Sequence, residues 1–395
     1  MTSLRQMIAV TVLSLLGIPR RVGASLVIVI GVAGVVAVFV CVLAMATSFT
    51  RSTAGTARAD RAVVLGRGAD SEANSGFSRE NAATVLDAPG IRRSPDGKPI
   101  ASAENLAFVR LTDRRTGLDA LTTLRGVGSQ AFALRPEIRL IAGRMFKPGL
   151  HELIAGQSVQ RRVLGLEIGN RFLLPQGDWT VVGVFESNGD SHESELFTDA
   201  ETLLSAFQRN FITSVTVLLE SPQRFADFAA ALSTNPTLSV DVKRERDYFV
   251  AANRPTSRLL GIIAYAIGGI MAFGAAFAAL NTMYSAVSAR SAEIATLRAI
   301  GFGGAPVVVS VLVEALLLAV IGAALGAAVA WYFFNGNAVS TVTGTSPSQV
   351  TFALNVNAGL IAAGMACACA IGVVGGLFPA IRAARLSVAA AMRGA

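Results

Sequence analysis

Charge is what this 395-residue chain has least of: charged residues make up 15% of it, against 52% hydrophobic ones. A soluble domain carries roughly a quarter of its residues as charges, so a wholly soluble fold is excluded. The deficit is local. Val22 to Thr50 has no charged residue, nor has Leu259 to Ala289, and from Ala305 to Ile381 there is one, Glu314. Cysteine is almost missing too. Cys41, Cys367 and Cys369 all fall in those apolar runs, so the stretch from 51 to 258 has no disulfide framework. Cys367 and Cys369 are two apart, on different sides of a helix, which argues against a shared metal or redox site. Lysine is confined to Lys98, Lys147 and Lys243, which reads as compositional bias. No Gly-x₄-Gly-Lys-Ser/Thr occurs; Gly97-Lys98 is followed by Pro99 and lacks the first glycine. With only two histidines, no Ser/His/Asp or Cys/His arrangement assembles on spacing.

What is present is a pattern of one apolar run, about two hundred mixed residues, then three more apolar runs. A span needs about 20 residues to cross ~30 Å of hydrocarbon. The arrangement is therefore 1 + 3 transmembrane helices with one large insert. Ala44-Met45-Ala46 resembles a signal-peptidase site, but the uncharged run before it is longer than the usual h-region, so the segment reads as a retained anchor. Its excess length suggests tilt or extension beyond the outer interface.

The net charge of +8 sits beside the membrane. Arg5, Arg20, Arg21, Arg290, Arg298, Arg382, Arg385 and Arg393 lie on the short segments, with Glu293 as their one acid; the insert has 26 basic and 24 acidic residues. That is the positive-inside distribution. Both termini and the loop near 290–300 are expected in the cytoplasm; the insert and the uncharged loop 335–357 are expected outside. A nucleic-acid partner is not indicated.

Met1 to Gly17 has near-helical spacing of Leu4, Met7, Ile8, Val12 and Leu15. An amphipathic helix on the inner membrane surface, ended by Pro19-Arg20-Arg21, is favoured over a loose leader. In the insert, strands are expected at Arg61–Gly66, Ala101–Leu111, Ala120–Arg125, Ile138–Ala142, Glu152–Ala155, Arg171–Leu174, Trp179–Glu186, Ile212–Leu219 and Leu238–Lys243. Helices are expected from a Ser78 cap to Leu86, at Ser158–Leu164, from an Asp199 cap over Ala200–Arg209, and at Gln223–Leu232. The β-rich middle suggests a subdomain inserted into an α+β domain. Asp247 to Leu260 lacks strong breakers except Pro255, so one helix is expected to enter span two from outside. Asn188 to Glu195 gathers acids around His192; metal binding is conceivable there, and a solvated loop is preferred. His151 has no obvious partner.

Spans two to four are rich in glycine, and Gly322/Gly326 and Gly372/Gly376 are small-xxx-small pairs that permit close helix approach. No span holds the polar constellation of a solute channel. Glu314 is a lone carboxylate costing on the order of 2.5–3.5 kcal/mol at a helix centre if unpaired. It either ties span three to the cytoplasmic loop, through Arg290 or Arg298, or stays protonated or snorkels.

Residues 288–301, joining spans two and three, place Arg290 three before Glu293 and put Ile294, Leu297 and Ile300 on one face, with Gly301 as the stop. On physical grounds this is either a lever helix for a soluble partner or a charged connecting loop. The segment Ala289-Arg290-Ser291-Ala292-Glu293-Ile294-Ala295-Thr296-Leu297-Arg298-Ala299-Ile300-Gly301 resembles the signature of the FtsX-like/MacB-like ABC transporter permease family. Phe378-Pro379-Ala380-Ile381-Arg382-Ala383-Ala384-Arg385-Leu386 resembles that family's C-terminal motif. Gly143-Arg144-Met145-Phe146 and Trp179-Thr180-Val181-Val182-Gly183-Val184-Phe185 are similar to its extracytoplasmic domain. Leu386-Ser387-Val388 departs from the usual Leu-Asp-Pro, and Phe302 to Ser310 lack the basic residues often found there.

The resemblance implies an α-helical inner-membrane protein with four transmembrane helices and a large periplasmic α+β domain. The implied division is a cytoplasmic amphipathic helix 1–21, span one 22–50, and the outer domain 51–246 with its inserted subdomain at about 130–205. Stalk and span two follow at 247–287, then a cytoplasmic coupling helix 288–302, span three 303–334, outer loop 335–357, span four 358–381 and cytoplasmic tail 382–395. It implies a homodimer docked to a cytoplasmic ABC ATPase that binds ATP and Mg, with no cofactor or catalytic residue on this chain. Arg290, Glu293, Ile294, Leu297, Arg298 and Gly301 would form the ATPase-coupling helix, Glu314 the intramembrane charge, and Pro379, Arg382 and Arg385 the tail contact. A periplasmic adaptor is an expected partner, as is the lipid bilayer. Export or extraction of a lipophilic or envelope substance is the expected function; the alternative is a signalling subunit that regulates a cell-wall hydrolase.

Overall fold

The computed structural model describes residues 3–17, 22–55, 57–174, 177–343 and 346–385. Pro19, Arg20, Arg21, Leu386 to Val388 and Arg393, and the side chain of Arg5, lie outside that description. The chain divides into two compact units.

The membrane unit comprises residues 1–46, 260–337 and 354–395. It holds α1 (Ser3–Leu16), α9 (Ser291–Ala299), α10 (Gly304–Phe334) and α11 (Ala358–Arg385), and the greater part of α2 (Val22–Gly55) and α8 (Glu245–Ala289). Four of them, α2, α8, α10 and α11, are long and apolar enough to cross a bilayer. Helix α1 is not only a surface helix: it packs on α10, burying Val10 and Ser14, while Ile8, Val12, Leu13 and Leu16 stay exposed.

Both small-residue pairs mark helix crossings. A Cβ at Gly322 would stand 2.8 Å from the carbonyl oxygen of Val29, and one at Gly326 would collide with the backbone of Ala33, so α10 lies directly on α2. Gly372 and Gly376 receive Ala319 and Ala315 of α10 in the same way. In lipid, where apolar side chains gain nothing from leaving the solvent, such close backbone packing is the main attraction between helices.

The outer unit comprises residues 47–259 and 338–353. It is built on one ten-stranded sheet. In spatial order the strands are β12 (Val240–Arg244), β1 (Arg61–Gly66), β11 (Ser214–Leu218), β3 (Ala101–Thr112), β4 (Asp119–Val127), β9 (Glu195–Asp199), β6 (Glu152–Gly156), β8 (Gly177–Glu186) and β5 (Arg139–Gly143). Strand β7 (Arg171–Leu174) also pairs with β8. A short β2 (Phe77–Ser78) pairs with β10 (Phe211–Ile212).

Helices α3 (Arg79–Leu86), α4 (Ala131–Leu134), α5 (Gln157–Arg162), α6 (Ala200–Ala206) and α7 (Phe225–Ser233) complete the unit. The Ser78 and Asp199 caps are present, accepting from Asn81 N and Thr202 N.

The β-rich middle, expected as an inserted subdomain at about 130–205, shares its sheet with strands from outside that range. Parallel pairing of β9 with β4, Thr123 to Val127 against Glu195 to Asp199, carries the same sheet across the expected boundary. The outer loop 335–357 is not merely a connection. Its centre is an antiparallel hairpin, β13 (Ala338–Thr343) with β14 (Ser346–Ala353), which belongs to the outer unit. Thr351 N donates to Ser194 Oγ at 2.9 Å, Arg162 donates to Gln349 Oε1 at 2.9 Å, and the rings of Phe352 and Phe49 meet edge-on at 5.6 Å. Thr351 and Phe352 are thereby buried, so the hairpin contributes to the domain core.

Candidate coupling site

Helix α8 ends at Ala289, the chain turns at Arg290, and α9 begins. The nine-residue α9 carries Glu293 in its first turn and Arg298 in its last, so both charges favour the helix dipole. It closes with Phe302 N on Leu297 O and Gly301 N on Arg298 O, both at 3.1 Å. That is a Schellman ending, and the turn requires the positive φ of +100° that Gly301 supplies.

The inner face of α9 is Ile294 and Ala295, both buried, with Leu297 half-buried. Ile300 is not on that face. It lies past the last helical turn, in the cap, and is 71% exposed. Outward the helix shows Ala292, Glu293, Thr296 and Ala299.

Arg290 binds this turn to the membrane helices. Its Nη1 donates to Glu314 Oε2 at 2.9 Å and to Ser14 Oγ at 2.9 Å, and Ser14 Oγ donates to Glu314 Oε2 at 2.6 Å. Glu314 is buried in α10 and Ser14 in α1. Of the two arginines considered as partners of Glu314, the structure brings up Arg290. Its contact with Glu293 is longer, 3.7 Å, with Glu293 70% exposed. A paired carboxylate escapes most of the burial cost, and removing either partner exposes it again. Gly17 leaves room for this: a Cβ there would meet Arg290 Nη2 at 3.3 Å. Beside the trio lies a cavity of about 560 Å³ lined by Val10, Leu13, Ile294, Leu297, Val307 and Val311.

The C-terminal motif reaches the same end of the helices. Pro379 is buried in α11, Arg382 stands 5.5 Å from the centroid of Tyr284 on α8, and Arg385 is exposed in the last turn. The guanidinium over a ring is a cation–π contact.

A second charged constellation sits in the outer unit, and the sequence reading missed it. Glu104 of β3 accepts from Arg135 at 2.5 Å and from Arg125 at 2.8 Å. Arg125 also meets Glu195 at 2.6 Å and Glu72 at 3.1 Å. Glu72 N donates to Tyr248 Oη near the foot of α8, and Glu245, the first residue of that helix, accepts from Arg58 N at 2.8 Å. Burial raises the Glu104 carboxyl, but Arg135 and Arg125 outweigh it and hold the group at about 2. Burial likewise opposes Glu195, which Arg125 and His192 hold well below the usual carboxylate range. Glu245 moves the other way: burial pushes it up despite Arg61.

The segment around His192 is therefore not a solvated loop. Asp190 to Ser194 are buried, Glu193 accepts from Ser187 N and Gly189 N, and Glu195 is neutralised by an arginine 70 residues away. Charges paired at that distance in sequence look exposed when read locally. Among the described residues no three His, Cys, Asp or Glu side chains converge as a metal would require.

Residues 22–235 match the MacB-like periplasmic core domain, and residues 265–388 match the FtsX-like permease C-terminal domain. The chain is 26% identical over 331 residues to a macrolide export ATP-binding/permease protein of Rhodopseudomonas palustris, covering 78% of this chain and 48% of that protein. It is 25% identical over 386 residues to a protein of the same description from Paracoccus denitrificans, covering 93% and 55%. It thus spans about half the length of the curated relatives it matches. The periplasmic region of MacB from Actinobacillus actinomycetemcomitans aligns with 48% of this chain and 90% of its own length at 14% identity, with a TM-score of 0.37. With the first match covering more than half of its length and the second its last three spans, the chain belongs to the MacB-like, FtsX-like family of ABC transporter permeases, multi-pass inner-membrane proteins with a large periplasmic domain.

Proposed function

We propose that this chain is the force-transmitting membrane subunit of an ABC-type export complex. A separate cytoplasmic ATPase, binding ATP and Mg, seats on the outward face of α9. Closure of that ATPase displaces α9, and the displacement passes to the periplasmic domain through α8. Two copies of the chain form the working unit, and a periplasmic adaptor receives the cargo. The cargo is a lipophilic or envelope substance already outside the cytoplasm.

The observation that carries this reading is the Arg290–Glu314–Ser14 trio. It joins the start of α9 to α10 by an ion pair and to α1 by hydrogen bonds, which gives movement of α9 a path to both helices. Helix α8 supports it as one element from Glu245 to Ala289, with Pro255 accommodated inside. The relatives' description as macrolide export proteins favours export over signalling.

The test uses the tagged full chain extracted in mild detergent. Wild type should copurify with an ATP-binding protein whose hydrolysis rate responds to the complex. The double reversal Glu293→Arg/Arg298→Glu should leave the chain folded and remove that protein. Retention of the ATPase by the reversed variant, at wild-type yield and rate, would place the docking surface elsewhere.

A further inference from the structure

On the outer unit a cleft of about 500 Å³ opens between the β3–β4 turn, the end of α5 and the β13–β14 hairpin. The isolated bridge between Asp113 and Val163, with Arg114 N donating to Arg162 O at 2.7 Å, brings two sequence-distant Arg-Arg pairs together. Arg114, Arg115, Arg161 and Arg162 line the cleft against only two carboxylates, Asp113 and Asp119. Neither acid is free. Asp113 accepts from Arg115 N and Thr116 N, and Asp119 accepts from Thr112 Oγ1. Arg114 is paired with Glu167 at 2.7 Å; Arg115 and Arg161 have no ion pair among the described residues.

Arg162 forms the floor. Its Nη1 donates to Gln349 Oε1 at 2.9 Å, its Nη2 reaches Thr122 Oγ1 at 3.4 Å, and its Nε has no partner. Every acceptor it has is neutral. Burial pushes its pKa down, with Asp113 opposing. A half-buried guanidinium hydrogen-bonded only to neutral groups, with Asp113 as its one opposing charge, keeps part of its desolvation cost. A bound anion would offset that cost, and the planar fork suits the oxygens of a phosphate. The volume exceeds that of a phosphate several-fold, and Leu118, Ala120 and Ala338 give the cleft an apolar side.

We propose that this cleft is a binding site for a phosphate-bearing ligand, with Arg162 as its half-buried anchor and Arg115 and Arg161 as its rim. The site does not depend on the coupling role of α9. The phosphate belongs either to a lipid headgroup or to a free anion, and two measurements on the full purified chain separate these. Equilibrium dialysis against labelled inorganic phosphate reads a free anion. Native mass spectrometry after exposure to mixed phosphatidylglycerol and phosphatidylcholine micelles reads a headgroup. Wild type should bind in at least one arm, saturably and at one site. The rim variant Arg115→Gln/Arg161→Gln, which disturbs no core contact, should weaken binding about tenfold, and Arg162→Gln by at least that. The exposed Arg171→Gln should match wild type. Phosphate uptake alone identifies a free anion; preferential retention of phosphatidylglycerol identifies a headgroup. No binding in either arm, or equal binding by wild type and the rim variant, overturns the proposal.

Discussion

Arg290 and Glu314 sit 24 residues apart in the chain, on opposite sides of the α9 turn, and meet at 2.9 Å with Ser14 closing the triangle. Glu314→Gln or Arg290→Gln alone should cost about 3–5 kcal/mol of stability, since each strands its buried partner. The double variant should cost clearly less than the sum. A double-mutant cycle read by thermal unfolding in detergent measures this. Strict additivity would mean the two groups do not interact.

The α2–α10 crossing makes a second prediction. Gly326→Val puts atoms where the backbone of Ala33 already lies and should destabilise the membrane unit by about 1–3 kcal/mol. A Cβ at Gly274 would meet nothing within 4 Å, so Gly274→Val serves as the control. Equal loss of heat stability in both would show that the close approach is not what limits packing.

The Glu104 cluster predicts an acid transition in the outer unit. The folded carboxyl lies at about 2, below its ordinary 4.5. Its stabilisation is therefore complete above pH about 4.5 and fades as pH falls towards 2, by about 3 kcal/mol in all. Glu104→Gln should lower stability at pH 7, leaving Arg135 and Arg125 short of a charge, and should flatten the dependence in that window. Far-ultraviolet circular dichroism melts at stepped pH would report both effects; an unchanged slope in the variant would assign the acid sensitivity to another group.

Phe352→Ala should cost about 3–5 kcal/mol in the outer unit, because the ring is buried against Phe49. Limited proteolysis should then cut the hairpin before the rest of the domain. Protection equal to wild type would mean the hairpin is held without that ring.

The four spans were legible because uncharged runs of that length have no other stable home in water. Strands such as Arg61–Gly66 and Arg171–Leu174 were legible from local pattern and breakers. What escaped notice depends on distant partners. Strand β9 begins with Glu195, which reads as solvent-facing until Arg125 is placed beside it. The hairpin is rich in serine and threonine, and such a segment looks like a loop unless Ser194 and Phe49 wait to receive it. At the α8–α9 turn, Arg290 and Arg298 were both open as partners for Glu314, and nothing near any of the three pointed to Ser14, 300 positions upstream of the carboxylate. Ile300 was misplaced because an i, i+3 count carried the helical face into the cap residue that the turn at Gly301 takes off the helix.

The hairpin's membership in the periplasmic unit bears on any attempt to exchange that unit between relatives. A chimera that transplants only residues 47–259 would leave 338–353 facing a foreign surface, with Thr351, Gln349 and Phe352 deprived of Ser194, Arg162 and Phe49. Any change in the chimera's behaviour would then be confounded with a misfitted seam. A graft that moves both stretches together keeps the donor's own contacts and isolates what the exchanged unit itself does.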